Sequence, residues 1–318
     1  MKFSVALCTY NGEKYIEEQL NSILRQSVRV SEIIICDDNS KDNTVTVADS
    51  ILKNSGISYQ IMINDPPLGV ADNFLKALKH TRGDYVFTCD QDDIWHDDKV
   101  KFFWEAVQQS RKALYFSDGI LVDGDAKPLG STLWEAYGVD RELESGEALL
   151  PILIRRPMVT GAAMLVSREL IDQINEIPEQ WLHDEWFAMI AAVKDNISTI
   201  CVQTFDYRQH GNNVVGAKKY SFFEKARLWV SNIEKLSILR RIQLEKSRDV
   251  LLLTAGTQYE SINKEAVAFW EAMVELSKVN MFKGVFRVLK IYSTGDYKRF
   301  YTGPRGALRD ILACIIRK

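Results

Sequence analysis

The 318-residue sequence has no C-x-x-C pair, no G-x-G-x-x-G turn, no internal repeat and no low-complexity tract. Each absence removes a class of answer. Five cysteines, Cys8, Cys36, Cys89, Cys201 and Cys314, are widely spaced and mostly sit in apolar strand-like runs. They read as reduced core residues of a cytosolic protein rather than as a disulfide framework or a zinc site. Without a glycine fingerprint after the first strand, a dinucleotide-binding role is not expected. No apolar run approaches a membrane span, and Met1-Lys2 leads straight into a strand with no signal peptide, so the expected location is cytoplasmic and any membrane contact peripheral. Charge of one sign is also scarce overall, at −3, but it is unevenly spread. From Met281 to Lys318 there are nine Lys/Arg against two Asp/Glu, which leaves 31 basic and 41 acidic side chains for the rest. An acidic body argues against nucleic acid as a partner, whereas the basic end suits an anionic surface.

What is present is alternation. Apolar runs at Phe3 to Cys8, Glu32 to Cys36, Ser58 to Ile63 and Tyr85 to Cys89 read as strands. Between them lie segments with helical periodicity, such as Ile16, Leu20, Ile23 and Leu24. Short connections between strand and helix predict an α/β fold with a mostly parallel sheet flanked by helices. In such sheets ligands bind at the carboxyl ends of the strands. Thr9 to Gly12, Asp37 to Ser40 and Asp90 to Asp93 each follow a strand directly, which predicts that all three line one rim. Beyond Lys99 the expected elements are a helix from Val100 to Gln108, two strand pieces around Ser117-Asp118, strands over Thr160 to Val166 and Ile197 to Val202, and a helix beginning near Asp184.

The acidic stretch is the sharpest signal. Asp90, Asp92 and Asp93 crowd within four positions of a strand end, and like charges so close repel. A solvated acidic turn is one reading. A bound cation is the other, and hard oxygen ligands suit Mg²⁺ or Mn²⁺ better than zinc.

Five stretches taken together resemble the inverting family 2 glycosyltransferases of the GT-A fold, most closely their bacterial rhamnosyltransferase-like branch. They are Cys8-Thr9-Tyr10-Asn11-Gly12, Asp37-Asp38-Asn39-Ser40, Asp90-Gln91-Asp92-Asp93-Ile94-Trp95, His183-Asp184-Glu185-Trp186, and Tyr207-Arg208-Gln209-His210-Gly211 with Asn213. They occur in family order between Phe3 and about Gly216. The resemblance implies a Rossmann-like nucleotide-binding half and an acceptor half. It further implies that Thr9, Tyr10 and Asn11 line the nucleoside pocket and that Asp38 accepts the base N3 hydrogen. Asp92 would face the donor diphosphate as ligand of a divalent cation, Mn²⁺ or Mg²⁺, with Asp90 directed at the metal or the ribose. Asp184 would be the general base that inversion requires, with Glu185 as the fallback. Trp186 would stack on the acceptor sugar, His210 would approach the metal or diphosphate, and Arg208 would hold the diphosphate.

The organisation expected is a catalytic domain over 1–216 and a C-terminal helical region over 217–318. Its stripes are Phe222, Ala226, Trp229, Ile233 and Leu236, then Ile262, Ala266, Phe269, Trp270 and Met273. In the last segment apolar residues alternate with Lys283, Arg287 and Lys290, as in an interfacial helix facing anionic lipid, or in a solvated face or dimer contact. The implied reaction moves a sugar from a dTDP- or UDP-sugar to a saccharide or lipid-linked acceptor in cell-surface polysaccharide synthesis. L-rhamnose from dTDP-rhamnose is the leading donor, with UDP-hexose and UDP-N-acetylhexosamine as alternatives. A sugar-phosphate nucleotidyltransferase would carry a glycine-rich loop with a basic residue where Asn11-Gly12-Glu13 stands. A non-catalytic sugar-binding or scaffold protein is the rival of another class, and the intact acids in all three clusters argue against it.

Overall fold

Every residue of Phe3–Thr9 is buried, which is what an apolar strand covered on both faces requires. This strand, β1, begins a unit comprising Met1–Leu149 and Met158–Ala217 in a computed structural model that describes residues 1–139, 149–155, 158–210 and 233–316. The next strands are β2 (Glu32–Asp37), β3 (Ser58–Ile63) and β4 (Tyr85–Cys89), joined through helices α1 (Ile16–Leu24), α2 (Thr44–Leu52) and α3 (Val70–His80). They lie side by side in the order β3-β2-β1-β4, all parallel. Ile16, Leu20 and Ile23 turn one face of α1 into the core, as the helical spacing predicts.

After β4 the sheet changes character. The elements are β5 (Ile94–Trp95), α4 (Lys99–Gln109), β6 (Leu114–Val122), β7 (Pro128–Thr132), α5 (Leu133–Tyr137), α6 (Leu150–Leu153), β8 (Met164–Ser167), α7 (Arg168–Gln173), α8 (His183–Val193) and β9 (Ile197–Arg208). β8 pairs antiparallel with both β4 and β6, and β9 lies parallel to β6. Among the described residues one nine-stranded sheet results, parallel on its β3 side and mixed beyond β4.

Three local expectations are corrected. The pieces around Ser117-Asp118 are one strand, with its register shifted at that step. The expected strand over Thr160 to Val166 starts at Met164, because Gly161–Ala163 forms a 3₁₀ turn. There Thr88 and Lys99 take up the carbonyls of Gly161 and Ala162 that a longer ladder would have used. Finally, the strand expected over Ile197 to Val202 runs on as β9 through Tyr207-Arg208, whose side chains are buried.

The second unit comprises Leu150–Pro157 and Lys218–Lys318, so Leu150–Pro157 groups with it although it falls within 1–216. Its described helices are α6, α9 (Ile233–Leu253), α10 (Glu260–Glu275), α11 (Met281–Ser293), α12 (Asp296–Phe300) and α13 (Pro304–Ile316). Ala266, Phe269, Trp270 and Met273, the stripe seen in the sequence, are buried against Val288, Tyr297 and Phe300. Within that core Arg240 meets Asp310 at 2.7 Å, and Tyr297 Oη donates to the same carboxylate at 3.0 Å. Phe222, Ala226 and Trp229 of the other stripe, and Gly211 to Asn213, lie outside the described residues. No described helix is long and apolar enough to cross a membrane.

Candidate functional site

Parallel strands deliver their carboxyl ends to one edge of the sheet. Thr9 pairs with Asp37 across β1 and β2, and Leu7 with Cys89 across β1 and β4, so the three polar turns leave the sheet together. A pocket opens at that edge, and Thr9, Tyr10, Asp38, Asp90, Asp92 and Asp184 all line it. Gln91 clasps the turns: its Oε1 accepts from Tyr10 N at 2.9 Å and its Nε2 donates to Tyr10 O at 3.0 Å. A Cβ at Gly12 would lie 2.1 Å from Gln91 Oε1, so a side chain there would displace the Gln91 clasp.

On one wall stands Asp38. Its carboxylate accepts from Asn64 Nδ2 at 3.0 Å and from the backbone N–H groups of Leu68 at 2.7 Å and Gly69 at 2.9 Å. These bonds shape the turn before α3, which brings Asn73 and Phe74 to the pocket. The neighbouring Asp37 is turned inward, where it accepts from Thr9 Oγ1 at 2.6 Å and from Ser40 N at 2.7 Å. Thr9 therefore lines the pocket with its hydroxyl already engaged, while Tyr10 is exposed at the mouth. Asn11 is not a pocket residue. At φ +48° it ties two loops, accepting from Lys41 N at 2.8 Å and donating its own N–H to Ser40 Oγ at 2.8 Å.

The floor is acidic. Burial and the charges of Asp92 and Asp184 push the Asp90 carboxyl up to about 8. Asp92 Oδ2 lies 2.8 Å from His210 Nε2, and the His210 ring stacks on Tyr15 at 4.9 Å. His210 thus reaches the site through Asp92 and is not itself a lining residue. Asp93 is buried and accepts from Arg208 N at 3.1 Å, and burial with its acidic neighbours holds its carboxyl well above the ordinary range. Beneath the cluster sits Lys99, fully buried. Burial pulls its ammonium down to about 7, against the opposing influence of Cys89, Asp93 and Asp90.

Arg208 departs from expectation. Its guanidinium, almost wholly buried, donates to Asp92 O at 2.7 Å and Gly124 O at 3.0 Å, pairs with Glu18, and lies over the Tyr15 ring at 4.8 Å. It braces the acidic loop from behind and does not line the pocket.

The opposite wall is the start of α8. Asp184 occupies the first turn, its Oδ2 accepting from Gly161 N at 2.9 Å and its Oδ1 from Glu185 N at 2.7 Å. Two donors orient the carboxylate, and its charge is felt at Asp90 across the pocket. Glu185 and Trp186, one and two steps round the helix, turn away from it. The Glu185 side chain accepts from Leu182 N at 3.3 Å, capping its own helix, and Trp186 packs on Trp181 at 5.3 Å. In their place the pocket has His183, stacked on Phe74 at 3.8 Å and pulled down to about 3 by burial, hence neutral. Gln91, Phe74, His183 and Tyr207 also line the pocket without having been singled out from sequence as site residues. Gln91, His183 and Tyr207 carried a signal, each lying within a quoted motif, and Phe74 carried none.

Among the described residues no three His, Cys, Asp or Glu side chains form a ready-made cation cage. The donor set is nevertheless that of a hard divalent ion: one or two carboxylates completed by substrate phosphates is a usual mode of holding Mg²⁺. Burial and the charges of Asp92 and Asp184 favour a protonated Asp90, and a cation among these carboxylates would offset both, so the residues fit it.

Residues 4–174 match the family described as Glycosyl transferase family 2. The chain is 31% identical over 222 residues to the dTDP-rhamnosyl transferase RfbG of Shigella flexneri, covering 66% of this chain and 74% of that protein. Its fold resembles that of S. aureus TarS 1-349 in complex with UDP-GlcNAc, with a TM-score of 0.62 and 18% identity, over 92% of this chain and 80% of that one. It also resembles the mannosyltransferase PcManGT from Pyrobaculum calidifontis in complex with GDP-Man and Mn²⁺, with a TM-score of 0.54 and 14% identity, over 99% and 86%. At such identities the solved structures speak to the fold alone.

The state of Asp90 yields a stability prediction. Its folded-state pKa is raised, so its contribution is fully present below about pH 4 and is lost as pH rises toward about 8. Asp90→Asn, which mimics the protonated form, is expected to raise the unfolding temperature of the metal-free protein by a few degrees at pH 8. Scans in chelator should show the difference vanishing near pH 4; a difference independent of pH would sink the assignment.

Proposed function

The chain belongs to glycosyl transferase family 2 and has the GT-A fold, and from that premise we propose an inverting transfer of one sugar from a nucleoside diphosphate donor to a saccharide acceptor, with L-rhamnose from dTDP-rhamnose as the leading donor. One observation carries the reading. Asp90 and Asp92, at the end of β4, share a single pocket with Asp184, which is about ninety residues further along the chain. Inversion asks for that arrangement, with leaving-group stabilisation on one side of the sugar and a base on the other.

The mechanism follows from the chain's own groups. Asp38, on the far wall, accepts a hydrogen bond from the base, a role that uracil and thymine both satisfy through N3–H. Asp92, supported by His210, and Asp90 would hold Mn²⁺ or Mg²⁺, which supplies charge neutralisation to the departing diphosphate. Asp184 removes the proton from the acceptor hydroxyl as it attacks the anomeric carbon, and the N–H groups of Gly161 and Glu185 hold the carboxylate in position for it. His183, neutral beside it, adds no competing charge. The choice of rhamnose is supported by the Shigella relative named for that transfer. The cation is supported by the acidic donor set and by the Mn²⁺ named with the Pyrobaculum structure. UDP-hexose and UDP-N-acetylhexosamine are the alternative donors, and the organisation into a catalytic part over 1–216 and a helical part beyond it belongs to the same reading.

A second part of the proposal concerns where the acceptor is met. Helix α11 presents Phe282 (79% exposed), Phe286 (71%) and Leu289 (51%) at a spacing that puts them on one face, beside Lys283, Arg287 and Lys290. Large apolar groups bordered by cations fit the boundary between headgroups and acyl chains. This supports a cytoplasmic protein in peripheral contact with an anionic membrane, where a lipid-linked saccharide would be found.

Three outcomes are expected. Asp184→Asn should lower transfer at least about 100-fold with dTDP or UDP affinity nearly unchanged, and retained turnover removes Asp184 as the base. Asp92→Ala should weaken Mn²⁺-assisted nucleotide binding about 10-fold or more by calorimetry, and equal affinity removes the metal assignment. Phe282→Ser combined with Phe286→Ser should reduce co-sedimentation with phosphatidylglycerol vesicles, and binding equal to wild type removes the membrane face. A panel of dTDP- and UDP-sugars, scored by thermal stabilisation and then by turnover, identifies the donor.

A further inference from the structure

Lys99 and Thr88 have no place in the reaction described above, yet both are fully buried beneath it. Thr88 belongs to β4, two residues before Asp90, and Lys99 opens α4. Both donate into the same turn. Thr88 Oγ1 bonds to Gly161 O, and Lys99 Nζ donates to Ala162 O at 2.6 Å. The other edge of that turn holds the base, since Gly161 N donates to Asp184 Oδ2 at 2.9 Å. One short segment, Gly161–Ala163, is therefore gripped through its carbonyls by the elements that carry the acidic cluster and grips Asp184 through an amide.

The surroundings leave this turn little freedom. Gly161, Ala162 and Ala163 are all buried, and a Cβ on Gly161 would lie 2.6 Å from His183 Nε2. The Lys99 ammonium sits 4.4 Å from the Trp95 ring centroid and 4.5 Å from that of Phe205, so it is held over two aromatic faces. A lysine in such a place is costly to desolvate, and a methionine would fill the space more cheaply. What the ammonium adds is a directed bond to Ala162 O and a positive charge next to Asp90 and Asp93.

We infer that Lys99, seconded by Thr88, is a positioning residue for the transfer: through the Gly161–Ala163 turn it sets the gap between the acidic leaving-group side and the Asp184 carboxylate. The inference rests on the reading of Asp184 as base. It also accounts for the three small residues in succession, because a side chain at Gly161 would drive the turn off His183 and carry Asp184 with it. A displacement of the order of 1 Å in such a group is enough to cost about 100-fold in rate.

The test compares wild type, Lys99→Met, Thr88→Val and Asp184→Asn in the full chain, using the donor found by the nucleotide-sugar panel. Lys99→Met is expected to lower kcat for transfer about 10- to 100-fold, and Thr88→Val about 3- to 10-fold, with donor KM and Mn²⁺-dependent nucleotide affinity within about threefold of wild type. The decisive readout is the ratio of transfer to donor hydrolysis. Water reorients freely and tolerates a displaced base better than a hydroxyl fixed on a bound saccharide, so the ratio should fall in both variants. A role in folding alone would lower both activities in parallel with the unfolding temperature and leave the ratio unchanged, which overturns the inference. So does a kcat within twofold of wild type in both variants. If Lys99→Met does not fold, Thr88→Val decides by the same ratio. Should Asp184→Asn retain transfer, the reading of the base itself fails, an outcome distinguishable from the others.

Discussion

The constraint on which the site depends is the repulsion among carboxyl groups gathered at the end of β4. Asp90, Asp92 and Asp93 leave the strand within four positions, and Asp184 faces them from the other wall. The surrounding structure answers each in a different way. Asp93 is drawn into the core and held by the Arg208 amide, Asp92 is met by His210, and the loop that carries them is braced by the Arg208 guanidinium. Asp90 is left without such a partner among the described residues, and burial, added to by the charges of Asp92 and Asp184, pushes its carboxyl up to about 8. The buried Lys99 opposes that rise. An arrangement of carboxylates so costly by itself is what a cation and a diphosphate would stabilise.

The change of direction in the sheet makes the two-sided site possible. Parallel strands β1, β2 and β4 present three turns at one edge, enough for a nucleotide but not for a reaction that needs groups on both faces of a sugar. The antiparallel entry of β8 beside β4 solves this. It starts its strand where β4 ends, so the turn at Gly161–Ala163 falls at the same rim and Asp184 is docked upon it. A parallel neighbour would have put that turn at the opposite edge of the sheet.

Much of the fold was legible because it rests on local pattern. Strands β3 and β4 end where the apolar runs end, and the stripe from Ala266 to Met273 is the core of the helical unit. Of the candidate residues, Thr9, Tyr10, Asp38, Asp90, Asp92 and Asp184 reach the pocket. Asn11, Arg208, His210, Glu185 and Trp186 do not, though each adjoins or closely follows one that does. Proximity in sequence carried them into the motif, but direction is set elsewhere: one step along α8 rotates Glu185 away from Asp184, and burial at the end of β9 spends Arg208 on carbonyls and Glu18. Phe74 was hidden for the converse reason, because its helical spacing is that of any core residue.

The sequence by itself determined the family, the alternation of strand and helix, and the chemistry available at the rim, since these follow from residue type and short-range spacing. Only the tertiary structure decided which acid is buried and which faces the pocket, which arginine is a brace, and what holds Asp184 opposite Asp90. Those outcomes depend on burial and on hydrogen bonds between segments up to 190 positions apart, such as Arg208 to Glu18. No local pattern encodes the competition for partners that settles them.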